Sequence, residues 1–219
     1  MYLLTNEIIA SREWRIRELE NLKKVGILAL NSYPQKIKDQ YYRMCIPYIY
    51  AHWEGFFVES FKQLISYLND LHLDKKLVQN ELYAFSLQDI LKPLAGKQSF
   101  EQTCQFTEKF IRNYDRALYI DPALLTAKSN LNYKQLVLIL EKFRMENCLT
   151  EYRSEINQLV NQRNRIAHGE NGITIEYANI SNKVNMLQEI FDLMILKFEE
   201  YLSERLYLKE NISQLSKSK

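Results

Sequence analysis

The chain has 219 residues, with 29 basic and 27 acidic side chains, a formal net charge of +2, and only five Gly and four Pro. That length suits one large domain with its own core, and scarce Gly and Pro among many Leu, Ile, Lys, Glu and Gln favour long helices over a turn-rich β fold. The balance of charge excludes a protein that coats nucleic acid through a broad basic surface, so any nucleic-acid contact has to be local.

Residues 5–30 read as a first helix, with Asn6 as N-cap and Ile9, Ile16 and Leu19 turned inward. Arg12, Arg15, Arg17, Lys23 and Lys24, interleaved with Glu13, Glu18 and Glu20, mark its solvated face. Pro34 closes the connector. A second helix spans about Lys36–Leu71, where Ile49, Trp53, Phe57, Phe61, Leu64 and Leu68 form a stripe stepping by three or four. Pro47 lacks a backbone donor and crowds the carbonyl of Arg43, so the helix is expected to kink there or start afresh. Glu54 lies beside the stripe, either as a rim carboxylate or as a partner for a buried cation.

Residues 75–113 read as two or three shorter helices, broken at Pro93-Leu94-Ala95-Gly96 and restarted after Ser99. Turn signals then mark 113–131 as a connector. A helix at about 132–144 turns Leu136, Ile139, Leu140 and Phe143 inward, and another runs from Thr150 to His168. Ile173-Thr174-Ile175-Glu176-Tyr177 alternates like a strand, but a single short strand has nothing to pair with, so an extended connector is expected. The last helix, about Ser181–Leu206, carries the seam Val184, Leu187, Phe191, Met194, Phe198 and Tyr201. The expected architecture is an all-α, single-domain helical bundle over residues 1–208, followed by a polar tail at 209–219.

Three Cys at 45, 104 and 148, odd in number and far apart, suggest reduced thiols in the cytoplasm. The apolar start Met1-Tyr2-Leu3-Leu4 lacks a basic flank and is interrupted by Glu7, so no secretory signal is expected. No segment approaches the ~18 uninterrupted apolar residues of a membrane span. The 15 Tyr and 10 Phe are read first as core and dimer-seam residues, and second as base-stacking platforms. Gly-rich phosphate loops, His-Glu-x-x-His and Cys-x-x-Cys are missing, and the three His at 52, 72 and 168 lack metal-ligand spacing. No metal or other cofactor is expected.

One helix breaks its own pattern. Tyr152, Ile156, Leu159 and Ile166 recur at helical spacing, and the position continuing their stripe is Arg163, a permanent cation where the core should be. Such local breaks concentrate at functional sites. His168 follows five residues later and Gly169 then ends the helix.

The string Arg163-Asn164-x-x-x-His168 at a helix end, followed by one more long helix, resembles the Arg-x4-6-His motif of the HEPN superfamily. Trp53-Glu54-Gly55 in an aromatic early helix is similar to a signature of one prokaryotic branch of it. The best-known members are metal-independent RNases of prokaryotic toxin and defence systems. The resemblance implies a two-fold dimer whose motif helices face each other, so that one cleft holds two copies of each residue. It also implies roles: His168 as general base toward a ribose 2′-hydroxyl, Arg163 holding charge on the phosphoryl oxygens, and Asn164 orienting His168 or holding phosphate, with Glu54 and Arg165 in support. The implied partners are RNA, a second copy of the chain, and an antitoxin or defence-system protein. In some relatives a Tyr two places after the motif His is modified by a nucleotidyltransferase; here that place is Glu170. The second reading is a non-catalytic HEPN-like helical module that binds RNA, nucleotide or a partner protein.

Overall fold

The structure is a computed structural model that describes residues 2–29, 32–92, 96–114, 116–125 and 130–209. Helix α1 (Tyr2–Lys24) runs into a π-helical turn (Val25–Ala29) and is followed by the 36-residue α2 (Gln35–Asp70). Short helices α3 (Asn80–Ser86) and α4 (Gln88–Leu91) precede α5 (Phe100–Tyr114). Then come α6 (Tyr133–Lys142), α7 (Arg153–Ala167) and α8 (Tyr177–Ser203). Among the described residues there is no strand, only an isolated antiparallel bridge between Val78 and Leu208. The fold is all-α, as the composition predicts.

Helix α2 organises the bundle, packing against α1, α7 and α8, while α1 also packs on α8 and α3 on α6. Its sequence explains that position. All six residues of the expected stripe are buried, but so are Tyr42, Cys45, Ile46, Tyr50, His52, Phe56, Ser60 and Ile65, so apolar surface runs most of the way round. Such a helix is stable only when neighbours wrap it on several sides. Its rings join those of other elements: Phe56 stacks on Phe191 of α8 at 4.0 Å, and Phe61 meets Phe143 at 4.9 Å and Phe198 at 5.0 Å between centroids. Helix α2 passes through Pro47 without restarting.

Helix α1 begins at Tyr2, so Asn6 lies inside it and does not cap it. Its inward stripe contains Leu4, Ile8, Ser11 and Arg15, with Ile8 in the place expected for Ile9. Arg15 thus leaves the solvated face to which the charge pattern assigns it. Burial is supported by polar partners: Arg15 Nη2 and Ser11 Oγ each donate to Glu59 Oε2 at 2.8 Å.

Two connectors hold their shape through specific bonds. Asn69 of α2 receives the N–H of Ile120 at 2.8 Å and donates to its carbonyl at 2.9 Å, strapping the segment after α5 over the end of α2. Between α7 and α8, Ile173 and Ile175 are buried in an extended stretch with no strand partner, which accounts for the alternation. Helix α8 starts four residues earlier than expected because Glu176 and Asn179 cap it reciprocally. The last described residue, Lys209, donates its N–H to Leu77 O at 2.9 Å, and residues 210–219 of the expected tail lie outside the described residues. No described helix is long and apolar enough to cross a membrane.

Candidate active site

Helix α7 ends in a left-handed turn. Gly169 has φ 84°, its N–H donates to Ile166 O at 3.0 Å, and the N–H of Glu170 donates to Arg165 O at 3.0 Å. These paired bonds satisfy carbonyls the helix leaves open and require a positive φ that Gly adopts without strain. His168 is therefore fixed as the last residue before the chain turns away. Its backbone N–H donates to Asn164 O at 2.9 Å, its side chain is exposed, and among the described residues none hydrogen-bonds its imidazole.

One and a half turns earlier, Arg163 is half-buried. Its guanidinium carbon lies 3.9 Å from the centroid of the Tyr50 ring, and its Nη1 donates to Asn164 Oδ1 at 2.8 Å. Asn164 Nδ2 in turn donates to Asn130 Oδ1 at 3.2 Å. The cation is thus set on an aromatic face and steered by an amide that is itself held. A contact of this kind contributes about 1–2 kcal/mol when partly desolvated.

Tyr50 is the keystone of this arrangement. Its hydroxyl accepts the N–H of Leu131 at 2.8 Å and donates to Glu54 Oε1 at 2.8 Å, while Trp53 Nε1 donates to Leu131 O at 2.8 Å. Both backbone polar groups of Leu131 are therefore bound by side chains of α2, which places the neighbouring Asn130 beside α7. Burial, with Glu54 adding to it, pushes the Tyr50 hydroxyl up to about 12, so it stays protonated and remains a donor. Helix α2 meets Arg163 through this ring, and Glu54 joins the site one turn along through the Tyr50 hydroxyl.

Consecutive helix residues step by about 100°, so Trp53, Glu54 and Gly55 face three ways. Trp53 enters the core and binds Leu131, and Glu54 holds Tyr50. Gly55 faces α1, where a Cβ would come within 2.7 Å of Arg15 Nη1. The three-residue signature thus joins α2 to two other parts of the fold, the Leu131 segment and α1, and braces Tyr50 within α2 itself.

Arg165 is exposed, and its Nε pairs with Glu170 Oε2 at 2.7 Å across the helix end. The sequence reading missed Arg43, whose Nη1 donates to Asn171 O at 2.5 Å and ties the loop after His168 to α2. Its spacing was the available signal: Arg43, Tyr50 and Glu54 stand at i, i+7 and i+11, one face of a helix. The other histidines lie elsewhere. His52 is buried on the α1 side, 3.4 Å from Glu18 and against the Trp14 and Tyr48 rings, and burial holds it below the usual range, with Arg15 adding to the effect. His72 sits at the exposed end of α2. Among the described residues no group of three His, Cys, Asp or Glu converges as a metal ion requires.

A permanent cation, an amide and an exposed imidazole within one helix end can bind a phosphodiester and move a proton. A family model described as RiboL-PSP-HEPN matches residues 10–200, a span that includes every residue of this site. No curated protein and no solved structure matches the chain.

Proposed function

The chain belongs to the RiboL-PSP-HEPN family, within the HEPN superfamily, and on that premise we propose that it is a metal-independent endoribonuclease of a toxin–antitoxin or antiphage defence system. The observation that carries the reading is Arg163 held on the Tyr50 face at the helix end that presents an exposed His168 imidazole. A cation held so firmly needs little reorganisation when charge builds on phosphoryl oxygens, and an exposed imidazole is open to a substrate hydroxyl.

In the proposed reaction His168 accepts the proton of a ribose 2′-hydroxyl as that oxygen attacks the adjacent phosphorus. The bond to the 5′-oxygen breaks, leaving a 2′,3′-cyclic phosphate and a 5′-hydroxyl. Arg163 holds the negative charge of the pentacoordinate state, and Asn164 fixes the guanidinium. The leaving oxygen needs a proton, which a second His168 supplies if two chains meet with their α7 ends together; for that reason the proposed assembly is a two-fold dimer. Glu54 acts through Tyr50, and Arg165 with Glu170 shapes the rim.

The near-neutral charge favours a second reading, a helical module that binds RNA or a partner protein without cutting. Expression in a bacterial host separates the two. Growth arrest by the wild type, relieved by His168→Ala in protein that still accumulates folded, supports the nuclease. Absence of arrest, or arrest unchanged by His168→Ala, supports the binding module.

A further inference from the structure

Between α7 and α8, on a face of α7 that Arg163 does not use, lies a cavity of about 390 Å³ with a buried floor and open polar walls. The floor contains Lys183, only 6% exposed. Its Nζ donates to Gln158 Oε1 at 3.2 Å, and among the described residues no carboxylate lies within ion-pair distance of it. An ammonium can donate three hydrogen bonds, so this one is under-used in a place where desolvation is costly. Burial also holds it below the usual lysine range.

The walls indicate what such a donor is for. Glu155 and Glu189 flank the cavity, with Glu189 accepting from the Tyr152 hydroxyl at 3.0 Å, so the lining carries two carboxylates against one amine. That balance repels a phosphate and suits a neutral group that accepts on one edge and donates on another. Asn179 and Asn182 supply amides of the kind that read base edges, and Tyr152 supplies a ring.

We propose that this cavity takes an RNA base bearing both a carbonyl and an exocyclic amino group, guanine or cytosine, with Lys183 donating to the carbonyl edge and Glu155 accepting from the amino group. The inference rests on the RNA-directed reading above and adds to it a preference for which bases of the RNA are held. Adenine lacks the carbonyl and uracil the amino group, so both bind less well.

Met186 also lines the cavity, which makes its methyl group a local probe. The wild-type protein, with its methionine methyls carbon-13 labelled, is titrated by NMR with the four nucleoside 5′-monophosphates and with inorganic phosphate. The Met186 signal is expected to shift saturably with GMP or CMP, at least ~10-fold more weakly with AMP and UMP, and not at all with phosphate. Lys183→Leu, and independently the exposed-wall variant Glu155→Gln, should weaken the response to the preferred nucleotide at least ~10-fold, the loss expected of one charge-assisted bond. If Lys183→Leu does not fold, Glu155→Gln still decides. A Met186 signal unmoved by every nucleotide, moved equally by all four, or moved by phosphate alone overturns the proposal. Binding is read without cleavage, so an inert nuclease leaves this result standing, and cleavage without base binding overturns this inference alone.

Discussion

Tyr50 supplies two separable things, a ring under Arg163 and a hydroxyl that closes a buried network, and substitutions can take them apart. Tyr50→Phe keeps the ring but strips the Leu131 N–H of its acceptor, at a cost of about 1–3 kcal/mol. Tyr50→Leu also removes the seat of the guanidinium. In thermal melts both variants should lose stability, whereas RNA cleavage should survive in Tyr50→Phe and fall at least ~10-fold in folded Tyr50→Leu. Equal activity in the two would show that the ring does not position Arg163. His52 offers a test by pH. Burial, with Arg15 beside it, lowers its affinity for a proton in the folded state, so the unfolded chain binds that proton at higher pH. The stability it contributes is therefore full above the reference value of ~6.5 and is lost as pH falls through the folded value. Melting temperature should drop as pH falls below about 6.5, and the drop should be shallower in His52→Gln; parallel profiles would remove His52 as its source.

At the scale of elements, the end of α7 was legible because Gly169 announces it. The same left-handed ending closes α6 and α8 with Arg144 at φ 51° and Arg205 at φ 52°, and there the residue type gives no warning. No Cβ clash awaits at Gly169, so its requirement is conformational. Gly169→Ala should lower stability by about 1 kcal/mol, read by denaturant unfolding, and should disturb His168 next to it. An unchanged midpoint would mean that the turn adapts. One further boundary and one buried face were hidden for physical reasons. Glu176 and Asn179 cap α8 in the reverse of the usual small-polar-then-acidic order, and α1 turns Ser11 and Arg15 inward because Glu59 and Gly55, more than 35 positions away, receive them. A charge pattern read along one helix cannot see such partners.

Across the whole molecule, helical composition and the aromatic stripe of α2 made the all-α bundle readable, and the break at Arg163 pointed to one helix end. What supports that end was not readable in full, because Tyr50, Asn130 and Arg43 reach it only through packing between distant segments. The proposed dimer belongs to this scale as well. Light scattering at micromolar concentration should give twice the chain mass, and an RNA-cutting monomer would show that one Arg163 and one His168 suffice. The chemistry itself is tested most directly by incubating purified wild type, Arg163→Ala and His168→Ala with one structured RNA in EDTA and identifying the new ends. The expected result is wild-type cleavage to 2′,3′-cyclic phosphate and 5′-hydroxyl ends, no cleavage of the equivalent DNA, and at least ~10²-fold slower cleavage by each folded variant. Products with 5′-phosphates that form only with Mg²⁺, or cleavage undiminished by either substitution, would contradict the assignment of Arg163 and His168 as the cleaving pair.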